Sequence, residues 1–360
     1  MREALKLARA SQVLPYPNPW VGSVIVKNGK IVGRGCHRGP GTNHAEVEAI
    51  RQAGSRAEGA TLYVTLEPCC HHGNTPPCTD AIRRAGIRRV FYAVRDPNPQ
   101  VAGRGARILK SNGVEVRAGL CSRQAKEINE VYLKFRATSL PFVTAKAATT
   151  LDGKISTRTG ESKWITDKIA RRRARMLRAE HQAVMVGINT VLRDDPHLGV
   201  RLRGRPDPWR VVLDSSLRIP SKSQVVQSGQ CIVACASRAS ARRIARLERR
   251  GATIWRFKGR RVPLRALLAK LADKGINSIL VEGGAEVLGS FFDEGLVDRV
   301  CWFVSPVIVG STDSRAAVAG RGAAKLAAAW RLRDYRFERV GDSSLLQGNL
   351  SRWAVGDPSN

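Results

Sequence analysis

Alternating runs of apolar and polar residues divide the chain into short strands and amphipathic helices. The apolar run 21–26, the turn residues 27–30 and the returning run 31–35 predict a β-hairpin. Apolar side chains at helical spacing predict a helix over 2–12. The continuous apolar run 60–66 predicts a buried strand. This succession of strands and helices is typical of an α/β/α layered domain.

The same alternation continues to near the end of the chain. Further strands are predicted at 88–94, 142–150, 183–187, 210–215 and 276–282, and further helices at 103–111, 122–136, 167–182 and 285–292. Thr166 and Asp167 are suited to cap the third of these helices, which is strongly basic. The segment 137–141 is suited to link two α/β domains, which we place at 1–138 and 142–357.

One constellation around the predicted buried strand carries metal chemistry. His44 and Glu46 open a helix for which Asn43 is the predicted N-cap, and Cys69 and Cys78 follow the strand within Glu-Pro-Cys and Thr-Pro-Pro-Cys. One imidazole and two thiolates suit zinc, with a fourth position left for water, whose pKa the metal lowers to roughly 7. A glutamate two residues after the histidine ligand is the proton carrier in such sites. The pattern predicts a hydrolytic deaminase of an amino-substituted pyrimidine or purine ring.

The cysteine spacing separates this chain from most nucleic-acid base deaminases. Those usually carry Pro-Cys-x-x-Cys, whereas eight residues stand between Cys69 and Cys78 here. The combination of His-x-Glu, Glu-Pro-Cys and Thr-Pro-Pro-Cys resembles the bifunctional deaminase/reductase family of riboflavin biosynthesis. A closed structural zinc site or unrelated thiols is the alternative, but such a site has no need for Glu46.

The resemblance extends over nearly the whole chain and implies two activities. The N-terminal domain would be a cytidine-deaminase-like α/β/α zinc domain that removes the 2-amino group of 2,5-diamino-6-ribosylamino-4(3H)-pyrimidinone 5′-phosphate. The C-terminal domain would be a dihydrofolate-reductase-like α/β domain. It would use NADPH to reduce the ribosyl chain of 5-amino-6-(5-phosphoribosylamino)uracil to ribityl. The implied cofactors are Zn²⁺ and NADPH.

Motif by motif, the resemblance also implies the contact residues. In the deaminase half, the expected substrate contacts are Asn18, Asp96 and Asn98. His72, a polar residue of the site loop like its neighbour His71, is also expected to contact substrate and not zinc. In the reductase half, the expected substrate contacts are Ser162, Arg178, Leu198, Arg201 and Glu282. The expected NADPH contacts are Ala148, Trp164, Thr190, Asp194, Ser215, Gly284, Ala285, Glu286, Val287, Leu288, Gly289 and Ser290. Two positions depart from the family pattern: Cys70 stands where Ser is frequent, and Gly199 where Thr is typical.

The glycine pair at 283–284 indicates a ligand-binding turn in the second domain, independently of the resemblance. It follows a predicted strand and precedes a predicted helix, so the backbone can approach a ligand and the helix N-terminus can attract phosphate. Glu282 would lie at the carboxyl end of that strand, where such sheets bind ligands. The chain has no G-x-G-x-x-G fingerprint, so NADPH follows mainly from the resemblance.

Composition adds one unusual feature, a formal net charge of +31 from 61 basic and 30 acidic residues. Such an excess is compatible with nucleic-acid binding, but the arginines are spread over the chain and no nucleic-acid-binding motif accompanies them. We therefore favour a compositional bias and expect no specific nucleic acid. The rival functions are a base deaminase acting on RNA or DNA and a non-catalytic zinc-stabilised binding protein.

The remaining expectations concern the protein's surroundings. No stretch approaches the ~20 apolar residues of a membrane span, and the N-terminus lacks the features of a signal peptide. The eight cysteines fit a metal site plus reduced, buried thiols. We expect a cytoplasmic homo-oligomer that acts on small phosphorylated pyrimidines and has no membrane partner.

Overall fold

The computed structural model describes residues 1–10, 17–73 and 75–350. The chain forms two compact units, Met1–Ser139 and Leu140–Asn360. The division falls inside the segment 137–141 that the sequence marks as a linker. Residues 11 and 12 of the predicted first helix, and 351–357 of the second predicted domain, lie outside the described residues.

The first unit is built on a five-stranded sheet with strand order β2-β1-β3-β4-β5. The strands are β1 Gly22–Lys27, β2 Lys30–Cys36, β3 Thr61–Leu66, β4 Arg89–Val94 and β5 Glu115–Ala118. The first two form the predicted hairpin, and β1 also pairs antiparallel with β3. The last three strands are parallel, so their carboxyl ends share one edge of the sheet.

Five helices accompany this sheet within the described part of the unit. They are α1 Arg2–Ala10, α2 Ala45–Ala53, α3 Cys78–Arg84, α4 Arg104–Ser111 and α5 Ser122–Thr138, with a short 3₁₀ turn at Gly54–Ala57. Helix α2 lies against β2 at very short range, since a Cβ on Gly35 would stand 2.1 Å from the Ala45 carbonyl oxygen. Glycine at that position is therefore what allows α2 to carry its first turn so close to the sheet.

The predicted N-cap of α2 is wrong by one residue. His44 occupies the cap position, in extended conformation, and its carbonyl accepts the first helical hydrogen bond from Glu48 N at 3.1 Å. Asn43 instead donates from its side chain to the Glu48 carboxylate at 2.8 Å. The imidazole of His44 is thus free of the helix and projects from its N-terminus.

The second unit contains a nine-stranded sheet in the order β10-β9-β8-β7-β11-β6-β12-β14-β13. The strands are β6 Phe142–Thr149, β7 Ala183–Gly187, β8 Trp209–Leu213, β9 Cys231–Ala236, β10 Ala252–Phe257, β11 Ser278–Val281, β12 Arg299–Val304, β13 Leu332–Val340 and β14 Ser343–Leu350. The helices are α6 Lys168–Ala179, α7 Ile188–Asp194, α8 Gln224–Gln227, α9 Ala241–Glu248, α10 Leu264–Asp273 and α11 Ala285–Asp293, with a 3₁₀ turn at Leu326–Ala328.

The central strands of this sheet are buried on both faces. In β7, Met185 belongs to one apolar cluster while Val184 and Val186 belong to the other, so alternate side chains serve opposite layers. Strands β6 to β12 pair in parallel, and β14 and β13 extend the sheet antiparallel. The predicted α/β class is confirmed in both units.

The basic helix α6 begins as predicted, because the Asp167 carboxylate accepts from Ala170 N at 2.7 Å. It ends at Ala179, three residues before the predicted end. Within the described residues, no helix combines the length and apolar character needed to cross a membrane.

Candidate active sites

The predicted metal ligands converge at one edge of the first unit. His44 Nδ1 lies 3.2 Å from Cys78 Sγ and 3.4 Å from Cys69 Sγ, and the three ligand atoms fall within 4.8 Å of one another. Their positions follow from local structure: His44 caps α2, Cys69 follows β3, and Cys78 opens α3. Among the described residues, this is the group of His, Cys, Asp and Glu side chains that could hold a metal ion.

The surroundings of these ligands suit zinc. Thr75 Oγ1 lies 3.3 Å from His44 Nε2, and this contact holds the ring with its other nitrogen facing the sulfurs. The backbone N–H of Cys78 donates to Cys69 Sγ at 3.3 Å, which favours the thiolate that a metal requires. One nitrogen and two sulfurs brought together in this way fit a three-ligand zinc site.

Glu46 stands beside the ligands in the first turn of α2. The residue is 4% exposed, and burial raises the pKa of its carboxyl to about 7. A carboxyl with that pKa can both accept and return a proton near neutral pH.

A cavity of about 300 Å³ opens over the ligands and Glu46. Three predicted substrate contacts, Asn18, Asp96 and Asn98, line it. His72 is exposed and does not line the cavity, whereas His71 does. His71 Nδ1 is buried and has no hydrogen-bond partner among the described residues, so it is available to a ligand.

Asp96 is held by the protein as well as facing the cavity. The Tyr132 hydroxyl lies 3.0 Å from each carboxylate oxygen, and Asn98 N donates to Oδ1 at 2.9 Å. Burial raises the pKa of Asp96 to about 6. Asn18 is positioned by His37, with Nδ2 2.9 Å from the ring Nε2.

Glu67 has a supporting role that sequence reasoning did not assign. Its buried carboxylate accepts from three backbone N–H groups, those of Asp96 at 3.4 Å, Gly103 at 3.0 Å and Ala106 at 3.1 Å. It therefore fastens the loop after β4 to the strand that delivers Cys69. The Glu-Pro-Cys motif was the available signal.

Cys70 turns away from the ligand group. Its sulfur lies 3.5 Å from the Gln100 carbonyl oxygen, and it is not one of the three clustered ligands. The departure at this position thus leaves the metal-binding group intact.

In the second unit, Arg178 and Glu282 are brought into direct contact. Arg178 Nε and Nη2 donate to the two carboxylate oxygens at 2.6 Å and 2.8 Å, and Nη1 donates to the Gly199 carbonyl at 3.1 Å. Burial alone would raise the pKa of Glu282, but the charges of Arg178 and Lys146 more than offset it and lower the pKa to about 2. The carboxylate is therefore ionised over the whole working range of an enzyme.

Lys146 is a residue of this site that sequence reasoning missed. It lies on β6, a neighbour of β11, after which Glu282 comes. Burial lowers the pKa of its ammonium, and the charge of Glu282 opposes that effect. A lysine flanked by alanines within a central strand was the signal that could have identified it.

The expected NADPH residues gather partly around the turn between β11 and α11. Gly283 has φ of +103°, a conformation that favours glycine, and the N-cap Gly284 leaves α11 without a side-chain cap. A Cβ on Gly284 would lie 3.7 Å from Thr190 Oγ1, so these two expected contacts are neighbours. Uncapped N–H groups at the start of a nine-residue helix suit a pyrophosphate.

The other expected reductase residues differ in their contacts and in their exposure to solvent. Ser162 Oγ lies 3.5 Å from Asp194 Oδ1, and Ser215 Oγ accepts from Val262 N at 3.3 Å. Trp164 is 71% exposed, with the Arg171 guanidinium 4.1 Å from its ring centre. The remaining positions differ in exposure: Leu198, Leu288 and Gly289 are buried, Ala148, Ala285, Val287 and Ser290 are half-buried, and Arg201 and Glu286 are exposed.

Family models match both halves of the chain. The cytidine and deoxycytidylate deaminase zinc-binding region matches residues 1–94, and the RibD C-terminal domain matches residues 141–346. The chain is 45% identical over 328 residues to the riboflavin biosynthesis protein RibD of Bacillus amyloliquefaciens, covering 89% of this chain and 88% of the relative. It is 40% identical over 354 residues to the RibD of Escherichia coli strain K12, covering 95% and 96%.

Solved structures show the same likeness. A RibD structure from Acinetobacter baumannii aligns with a TM-score of 0.87 at 36% identity and covers 98% of both chains. A diaminohydroxyphosphoribosylaminopyrimidine deaminase/5-amino-6-(5-phosphoribosylamino)uracil reductase from Thermotoga maritima aligns with a TM-score of 0.82 at 34% identity. It covers 98% of this chain and 97% of its own.

Proposed function

The chain belongs to the RibD family of riboflavin-biosynthesis proteins, and on that premise we propose which of its residues carry each reaction. It is a bifunctional enzyme with a zinc-binding deaminase domain and an NADPH-using reductase domain. We assign deamination of 2,5-diamino-6-ribosylamino-4(3H)-pyrimidinone 5′-phosphate to residues 1–138. We assign reduction of 5-amino-6-(5-phosphoribosylamino)uracil to residues 142–357.

In the deaminase domain, His44, Cys69 and Cys78 would hold the zinc. Bound zinc lowers the pKa of water to roughly 7. The net reaction exchanges the 2-amino group for oxygen from water and releases ammonia, so protons must move to the ring nitrogen and then to the amine. The buried carboxyl of Glu46 is placed to move both protons.

Asn18, Asp96 and Asn98 would orient the pyrimidine within the cavity. Asp96 is itself fixed by Tyr132, so its carboxylate presents a defined edge to the ring. This preorganisation matters because a reacting ring must be held within a few tenths of an ångström of the proton carrier. His72 remains a prediction that the cavity lining does not support.

In the reductase domain, the Arg178–Glu282 pair and Lys146 would receive the sugar chain. Hydride from NADPH requires an sp² carbon, so the acceptor is the open-chain sugar as its aldehyde or imine. The hydride adds to that carbon, and one proton must reach the oxygen or nitrogen that receives the electron pair. Lys146 would supply such a proton; burial lowers the pKa of its ammonium, and the charge of the neighbouring Glu282 opposes that effect.

The nicotinamide nucleotide would lie across the start of α11. The glycine turn at 283–284 gives the backbone room, and Thr190 adjoins it. Ser162, Leu198 and Arg201 extend the expected substrate contacts, while Ala148, Trp164, Asp194 and Ser215 extend those to NADPH.

The observation that carries the proposal is the coexistence of two complete sets of reactive groups in one chain of this family. The His44–Cys69–Cys78 cluster with Glu46 serves hydrolysis, and the Arg178–Glu282 pair with Lys146 serves reduction.

The test is to supply the diaminopyrimidine phosphate with and without NADPH and to follow products by mass. Without NADPH, nitrogen should be exchanged for oxygen and the reaction should stop. With NADPH, the product should also gain two hydrogens. Absence of ammonia release would contradict the proposal.

We also propose the compartment in which the protein works and the molecules that it binds. All eight cysteines are unpaired, which suits the reducing cytoplasm. The partners we propose are small phosphorylated pyrimidines. The expected homo-oligomer remains a prediction that analytical ultracentrifugation would test.

A further inference from the structure

The rim of the deaminase cavity carries one fixed positive charge. Four of the described residues that line the cavity are exposed, namely Gly41, Thr42, Gly73 and Arg136. Arg136 is also the single Lys or Arg among the described lining residues. The cavity therefore has a buried end at Glu46 and a solvated end where a guanidinium stands.

Arg136 packs against two aromatic rings at the cavity rim. It lies in the last turn of α5, with its guanidinium carbon 5.5 Å from the Tyr132 ring centre and 6.0 Å from that of Phe135. The charge of Arg136 opposes the burial that raises the pKa of the nearby Asp96, and its guanidinium also interacts with the Tyr132 hydroxyl. A guanidinium has five N–H donors, so this one contact leaves others able to donate to a ligand.

The proposed substrate carries its reacting ring at one end and its charged phosphate at the other, as the cavity has a buried end and a solvated end. Its reacting ring carbon must lie near Glu46 and the metal ligands, at the buried end. Its 5′-phosphate is separated from the ring by the ribose and must therefore lie toward the rim. A phosphate dianion is best met there by a planar guanidinium, which can donate two parallel hydrogen bonds.

We propose that Arg136 binds the 5′-phosphate of the deaminase substrate and so makes this domain selective for the phosphorylated pyrimidine. The inference rests on the proposed function. It assigns to Arg136 a specificity role that is separate from proton transfer by Glu46.

The test compares the phosphorylated diaminopyrimidine with its dephosphorylated counterpart, using the zinc-loaded full chain. The variants are Arg136→Gln, Arg136→Lys and the control Arg123→Gln. The control removes the same charge from the same helix α5 at a position that does not line the cavity. Zinc content and thermal unfolding of each variant check that the deaminase domain is folded.

For Arg136→Gln we expect kcat/KM on the phosphorylated substrate to fall by about 10- to 100-fold, chiefly through KM, as loss of a charge-assisted contact implies. The dephosphorylated substrate should be turned over as by wild type. Arg136→Lys should recover part of the loss, and Arg123→Gln should change neither substrate.

Two results would overturn the inference while leaving the proposed function standing. In the first, Arg136→Gln lowers turnover of both substrates equally, which would mean that Arg136 only positions Tyr132 and Asp96. In the second, Arg136→Gln changes neither substrate. A wild-type enzyme that deaminates neither pyrimidine would instead reject the proposed function, and this inference with it.

Discussion

Glu282 and Arg178 form a two-point ion pair, with both carboxylate oxygens accepting from one guanidinium at 2.6 Å and 2.8 Å. Their side chains are only 8% and 18% exposed. The same guanidinium donates to the Gly199 carbonyl, so it joins the end of β11 to the loop that follows α7. The two residues therefore act as a unit, and neither can be changed without leaving the other charge largely buried.

The first prediction is that Glu282→Gln impairs reduction and spares deamination. Because the amide cannot neutralise Arg178, the second domain should also lose roughly 3–5 kcal/mol of stability. Paired kinetics and thermal unfolding measure both effects. Glu338→Gln, an exposed carboxylate on β13, is the control and should change stability by no more than about 0.5 kcal/mol. A Glu282→Gln enzyme that reduces at the wild-type rate would remove Glu282 from the site.

The second prediction concerns acid. The pKa of Glu282 is lowered from 4.5 to about 2 in the folded chain, so its stabilising contribution is fully present above pH 4.5. It is lost as the pH falls from 4.5 toward 2. Urea unfolding at neutral pH and at about pH 3 gives the free energy of unfolding of wild type and of Glu282→Gln. The difference between the two proteins should be smaller at the acid pH. A difference in unfolding free energy that grows in acid would contradict this prediction.

The third prediction concerns the metal ligands. The purified protein should hold about one zinc per chain, and Cys69→Ser or Cys78→Ser should lose it, because a three-ligand site cannot spare a thiolate. Cys70→Ser is the matched control, since its sulfur faces Gln100. Metal analysis of the three variants is the measurement. Loss of zinc from Cys70→Ser alone would contradict the ligand assignment.

The fourth prediction concerns the net charge of +31. If the excess is compositional, RNA and duplex DNA should bind weakly and only at low salt, since phosphate neutralisation is screened. Neither should be deaminated. A salt titration followed by nucleoside analysis tests this, and inosine or uracil in the nucleic acid would favour the rival base deaminase.

Local sequence signals predicted much of the first unit. The hairpin of β1 and β2 followed from its turn residues, and motif spacing predicted the group of His44, Cys69 and Cys78 that could hold a metal ion. The cap at Asn43 was wrong because asparagine is a common cap, and its side chain here bonds Glu48 instead. The competing partner is only five residues away, so the error lay in choosing between two local hydrogen bonds for one side chain.

The supporting residues could not be predicted for a different reason. Glu67 acts through backbone N–H groups as far along the chain as Ala106, and Lys146 acts through strands that are neighbours only in the folded sheet. The sequence does not distinguish Arg136 from the many other arginines of this basic chain, whereas the structure shows that it lines the cavity. Each of these roles arises from proximity between distant segments, whereas motif reading detects residues that are close in sequence.

The central claim is that two independent sites serve the two reactions, and Glu46→Gln tests it most directly. The amide keeps the size of the side chain and removes the proton carrier. Zinc should therefore remain bound while deamination falls by about 10²–10⁴-fold. Oxidation of NADPH with the deaminated substrate supplied directly should proceed at the wild-type rate. If Glu46→Gln abolished reduction as well, in a chain that unfolds at the wild-type temperature, the two sites would not be independent and the account would be wrong.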